Sequence, residues 1–184
     1  MRACLPAIFL FFSPAIFAAS GISASAGHTE TEDEYVYTAD NHTYRIWIEH
    51  VTDSLYILHH ETEGFPLSSW KLPYPVYRFC CGNLTGDELP EIAIGVIKPT
   101  RYFKDPAKRL FLFKLYKGKL IRPLWLGSQV GNPLEDFHIE TLQSPNGTGS
   151  EWQRVHTIER KKNGKVLEGI YKYSGFGLKF ERYL

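Results

Sequence analysis

Ile92-Ala93-Ile94-Gly95-Val96-Ile97 and Leu110-Phe111-Leu112-Phe113 decide the fold, because both runs are apolar at every position and not at alternate ones. A strand with one wet face alternates apolar and polar residues, so runs of this kind read as strands covered on both faces. Stacked sheets provide that cover, whereas a simple two-layer sandwich leaves one face of each sheet in water.

The flanking sequence has the same character: short β-type runs broken by turn residues, with no 10-residue window of helical periodicity, so the chain reads as all-β. Tyr44 to Val51 and Leu55 to Leu58 flank Thr52-Asp53-Ser54, and Arg109 to Tyr116 and Leu120 to Leu126 flank Lys117-Gly118-Lys119. Lys161-Lys162-Asn163-Gly164 is the strongest turn signal, since Asn-Gly tolerates the positive backbone angles of a tight hairpin. It should join Val155 to Glu159 with Val166 to Tyr171.

A weak internal repeat runs through these strands. At an offset of 58, Phe79 falls on Phe137, Leu112 on Ile170, Phe113 on Tyr171, Lys114 on Lys172, Leu115 on Tyr173 and Leu120 on Leu178. At an offset of 55, Leu55 falls on Leu110, Ile57 on Leu112 and Trp70 on Trp125. The expected architecture is therefore antiparallel meander units, propeller-like, about three of four strands each, over roughly 35–75, 76–133 and 134–184. Three units leave edges to satisfy, either by closing into a small ring or barrel or by meeting a partner.

The 184 residues, 43% hydrophobic and 15% aromatic with a formal net charge of +1, describe one globular domain without the field that would attract nucleic acid. The first 26 residues stand apart: Arg2 is their only charge, Leu5 to Ala18 is nearly all apolar, and small residues follow. That is the layout of a secretory signal peptide. Cleavage fits before Gly21 or before Gly27, the second better because polar sequence begins at His28, and residues 27–34 form a polar lead-in to a single domain over 35–184. The apolar run is too short, and too broken by Pro6 and Pro14, for a membrane span. Export to the periplasm or the extracellular space is expected. Cys80 and Cys81 are the cysteines that remain, and in a strand they point to opposite faces.

The segment with chemistry in it is Phe79-Cys80-Cys81-Gly82-Asn83-Leu84-Thr85-Gly86-Asp87-Glu88-Leu89-Pro90-Glu91-Ile92-Ala93-Ile94-Gly95. It resembles the FG-GAP type repeat of integrin-like β-propellers, in which an oxygen-rich loop between two strands binds calcium. The resemblance implies a calcium loop with side chains from Asn83, Thr85, Asp87 and Glu91 and the carbonyl of Leu89. The family usually has aspartate at the first loop position and glycine at the sixth, where this chain has Asn83 and Glu88. Few carboxylates mean weak affinity, and Glu88 makes the sharp turn harder. The other reading of the same residues is a metal-free hairpin held by Asn and Thr side chains on the backbone. The stretch from Val76 to Ser128 also resembles small exported repeat proteins of Gram-negative bacteria of the Bacteroides type, which implies compartment and fold but no activity.

The remaining polar residues give no catalytic constellation. His59, His60, His138 and His156 have no partner at a diagnostic spacing and read as surface or strand-edge histidines. Glu135, Asp136 and Glu140 form an acidic cluster, and Trp47, Trp70, Trp125 and Trp152 suit either a sugar-binding face or space between stacked sheets. The expectation is a non-enzymatic, secreted or periplasmic β-repeat module, binding a protein or carbohydrate partner or associated with the envelope, with calcium as its one candidate cofactor. The alternatives are a lipocalin-like β-barrel holding a small apolar ligand, and a polysaccharide-active hydrolase.

Overall fold

A computed structural model of the protein describes residues 29–30, 33–127, 129–142 and 152–184. The export segment read over 1–26 and the connection over 143–151 lie outside the described residues. The described chain is all-β and falls into three antiparallel meander sheets, each in sequential strand order. The first contains β1 (Thr29–Glu30), β2 (Glu34–Ala39), β3 (His42–Thr52), β4 (Leu55–Thr62) and β5 (Phe65–Leu72). The second contains β6 (Val76–Gly82), β7 (Glu91–Lys98), β8 (Ala107–Tyr116) and β9 (Leu120–Leu126), and the third β10 (Leu134–Leu142), β11 (Trp152–Arg160), β12 (Val166–Tyr173) and β13 (Leu178–Tyr183). The offset of 58 lays β6 on β10, β8 on β12 and β9 on β13, and that of 55 lays β4 on β8 and β5 on β9.

The second sheet lies between the other two, which is why its strands carry no polar alternation. Ile92, Ile94 and Val96 of β7 and Phe111, Phe113 and Leu115 of β8 face the first sheet, packing with Ile46, Ile48, Leu58 and Leu72. Ala93, Leu110 and Leu112 face the third sheet and pack with Phe137, Val155 and Tyr171. Cys81 belongs to the first layer and Cys80 to the second, and no disulfide joins them. Trp70 packs on the first layer and Trp125 on the second, whereas Trp47 lies on the outer face of the first sheet, its ring stacked 4.2 Å from that of His59. One close approach depends on a missing side chain: a Cβ on Gly95 would lie 2.6 Å from the Tyr77 ring.

The closed barrel is not what the chain builds. A barrel needs one continuous hydrogen-bonded ladder, and here the ladders stop at β5, β6, β9 and β10, so apolar side chains fill the layers between sheets where a barrel would hold a ligand.

The turns also depart from expectation in one place. Of Asn163-Gly164, only Gly164 takes a positive φ, and Asn163 instead accepts the Lys165 amide at 3.1 Å. Paired positive angles occur at Asp40-Asn41, Glu63-Gly64 and Lys117-Gly118, where two adjacent left-handed residues match the twist of the strands they join.

Candidate functional site

The loop between β6 and β7 closes on a buried carboxylate. Glu91, 1% exposed, accepts the amides of Leu84 and Thr85 at 2.7 and 3.0 Å on one oxygen and the Thr85 hydroxyl at 2.9 Å on the other. Burial pushes the Glu91 carboxyl above its usual range, against the pull of these three bonds and with Asp87 adding to the rise. Asn83 accepts the Gly86 amide at 2.6 Å, and Asp87, exposed, accepts the Leu89 amide at 3.3 Å. Glu88 takes a φ of 70°, the left-handed conformation a glycine would adopt more readily. Asn83, Asp87 and Glu91 thus each spend an oxygen on the loop's own amides. The Asn83 amide in turn donates to Gln153 of β11, which ties the loop to the third sheet.

Two of the four histidines are placed differently from the sequence reading, while His138 is exposed as expected. His60 is not at a surface or an edge: it is fully buried, with Nδ1 3.0 Å from the Lys119 carbonyl and Nε2 3.1 Å from the Tyr37 hydroxyl. The carbonyl only accepts, so Nδ1 carries the proton and Nε2 receives the Tyr37 hydroxyl. Burial holds His60 below its usual pKa and raises that of Tyr37. His59 faces away and lies 2.9 Å from Glu49.

His156 is also buried, 8% exposed, on the outer face of the third sheet. It stands directly opposite His138 across the β10–β11 ladder, their rings 4.6 Å apart. Glu140, two residues beyond His138 and so on the same face, reaches His156 Nδ1 at 3.1 Å. Glu168 of β12 lies 3.2 Å from Nε2, off the hydrogen-bonding direction, so this buried nitrogen has no hydrogen bond. Burial, and after it the neighbouring His156, lower the pKa of His138. His138, Glu140 and His156 are the group of potential metal ligands found among the described residues. Sequence reasoning misses it because the pairing depends on the β10–β11 register. The signal available is His138-x-Glu140, alternate positions on one strand face.

The acidic cluster does not converge. Glu135 pairs with Arg160 at 2.7 Å, Asp136 with Arg78 of the second sheet through two bonds, one of them 2.9 Å, and Glu140 with His156. A further buried carboxylate, Glu159, takes the amide and side-chain nitrogen of Asn132 and the hydroxyls of Thr157 and Tyr171, all within 2.9 Å, pinning the β9–β10 connection. A cleft of about 380 Å³ opens between the first two sheets, lined by Asp33, Ile48, His50, Tyr56 and residues 76–79. Among the described residues no helix is long and apolar enough to cross a membrane.

Comparison with protein-family models, curated proteins and solved structures finds no match to this chain.

Proposed function

We propose that the protein is an exported, non-enzymatic β-repeat module that binds a protein or carbohydrate partner or the envelope, with the 83–91 loop as a weak, FG-GAP-like calcium site. The observation that carries the non-enzymatic reading is the use of the carboxylates: each of Glu135, Asp136 and Glu140 is held by its own cation or imidazole, and Glu91 and Glu159 accept three and four hydrogen bonds within the fold. General acid and base chemistry needs carboxyl groups facing a shared substrate position, and these point to separate structural tasks. The calcium assignment is supported by Asp87, which is exposed beside the Leu89 amide it holds, and by the loop's oxygen-rich sequence.

The test is expression of the full chain in a Gram-negative host, with fractionation and an N-terminal sequence of the product. The expected product begins at Gly27 and is found outside the cytoplasm, whereas an unprocessed cytoplasmic chain would overturn export. Thermal unfolding of the processed protein in millimolar calcium should give a raised midpoint in the parent and none in Asp87→Ala. An equal response in both would remove calcium from the loop.

A further inference from the structure

We propose that His138, Glu140 and His156 form a site for a borderline divalent transition ion, with Zn2+ the ion that fits best, on the outer face of the third sheet. One ligand atom from each residue lies within 4.8 Å of the others. Zinc binds imidazole and carboxylate at about 2.0 to 2.2 Å, so tetrahedral ligands stand about 3.3 Å apart, and closing the group takes side-chain rotation of about an ångström. The backbone already does the placing: His138 and His156 are register partners, and Glu140 follows on the same face.

The donor set selects the ion class. Two imidazoles and one carboxylate suit zinc, nickel or copper, whereas calcium and magnesium prefer oxygen alone, which separates this site from the 83–91 loop. The surroundings of His156 supply the second argument. Both of its ring nitrogens face carboxylates, Glu140 at Nδ1 and Glu168 at Nε2, yet a neutral imidazole has a single N–H. A cation bridging Nδ1 and Glu140 resolves this, because the proton then stays on Nε2 and a small rotation lets Glu168 accept it. That is the carboxylate–histidine–metal arrangement in which an outer carboxylate fixes the tautomer of a ligating ring. The competing state has no metal, with His156 donating its one N–H from Nδ1 to Glu140. His138 is exposed, so the position beyond it stays open to water or to a ligand from a partner.

The experiment is calorimetric titration of Zn2+ into the chelator-treated, untagged, processed protein at neutral pH, with X-ray absorption at the zinc edge. One equivalent should bind through nitrogen and oxygen with two imidazoles in the shell. His138→Ala, at an exposed position, and Glu140→Gln should each weaken binding at least tenfold, while Asp87→Ala leaves it unchanged. Absence of one-site binding in the parent, affinity unchanged in both site variants, or a sulfur-containing shell that points to Cys80 and Cys81 would each overturn the proposal. The first of these outcomes leaves the metal-free Nδ1–Glu140 hydrogen bond. Calcium binding at the loop is read separately, so either site can fail without the other.

Discussion

Thr85 gives Glu91 both its amide, at 3.0 Å, and its hydroxyl, at 2.9 Å, so the start of the β6–β7 loop is fastened to the first residue of β7. The fastening makes Glu91 part of the fold, and its two neutral replacements should behave differently. Glu91→Ala orphans the Leu84 and Thr85 amides and is expected to cost about 2–4 kcal/mol. Glu91→Gln keeps one oxygen for the amides, and its nitrogen can donate to the Thr85 hydroxyl, so the expected cost is about 1 kcal/mol or less. Because burial raises the folded-state pKa of Glu91, its contribution is fully present below the ordinary glutamate pKa and is lost as pH rises through the higher folded value. Urea unfolding across that window should show this component in the parent and not in Glu91→Gln. A cost of about 1 kcal/mol or less in both variants would mean that the Glu91 side chain is not the fastener.

Asp136 has the opposite sign. Burial alone would raise its pKa, but the paired bonds from Arg78 and the Phe137 amide outweigh this and hold it below the usual carboxylate range. Its contribution is present above the unfolded-state pKa and is lost as pH falls through the lower folded value. Asp136→Asn should therefore cost about 1 kcal/mol at neutral pH, a modest figure because both side chains are partly exposed, and nothing at the acid end. Acid unfolding curves of parent and variant should converge as pH falls, and parallel curves would count against the bridge.

The stacking of sheets is legible in the sequence because covering both faces of β7 removes every polar position from Ile92 to Ile97, a signal that needs no partner to be read. The units are legible because apolar runs recur at offsets of 55 and 58 and several of the connections are marked by turn residues, such as Asp53-Ser54, Gly64, Gly118 and Gly164. Register and facing are not legible. Nothing local says that His138 meets His156, that Arg78 reaches Asp136 across a layer, or that Glu159 turns inward to Asn132, since each contact spans at least 18 residues and is set by tertiary pairing. The loop at 83–91 is visible as an oxygen-rich turn, but the way Glu91 spends both oxygens on its own backbone depends on its burial. His60 escapes the sequence reading for the same reason: an imidazole within Leu55 to Thr62 reads as polar, and only the opposite sheet supplies the Lys119 carbonyl that satisfies it.

His60 gives a third expectation. Burial lowers its folded-state pKa, so its contribution is present above the ordinary histidine range and is lost as acidification passes through the lower folded value. Nitrogen NMR should find His60 neutral with the proton on Nδ1 at pH 7. Tyr37→Phe removes the hydroxyl that bonds Nε2 and should cost about 1–2 kcal/mol. A proton found on Nε2 would instead make the Tyr37 hydroxyl the acceptor and leave Nδ1 facing the Lys119 carbonyl with no hydrogen between them.

The fourth concerns how closely the second and third sheets approach. A Cβ at Gly95 would stand 2.6 Å from the Tyr77 ring, which packs edge-on against Phe137 with centroids 6.3 Å apart, in the layer closed by Ala93 and Leu112. The ring cannot retreat without disturbing Phe137, so Gly95→Ala should cost about 1–3 kcal/mol through overpacking. Gly64→Ala is the control: nothing lies within 4 Å, and its expected cost of about 1–2 kcal/mol arises from its positive φ alone. Trimming the ring separates the two causes. In a Tyr77→Ala background the Gly95→Ala penalty should fall but not vanish, because the Arg78 Cβ remains 2.9 Å from the added methyl, while the Gly64→Ala penalty should persist, and a Gly95 penalty unchanged by loss of the ring would place the constraint at Arg78 of β6.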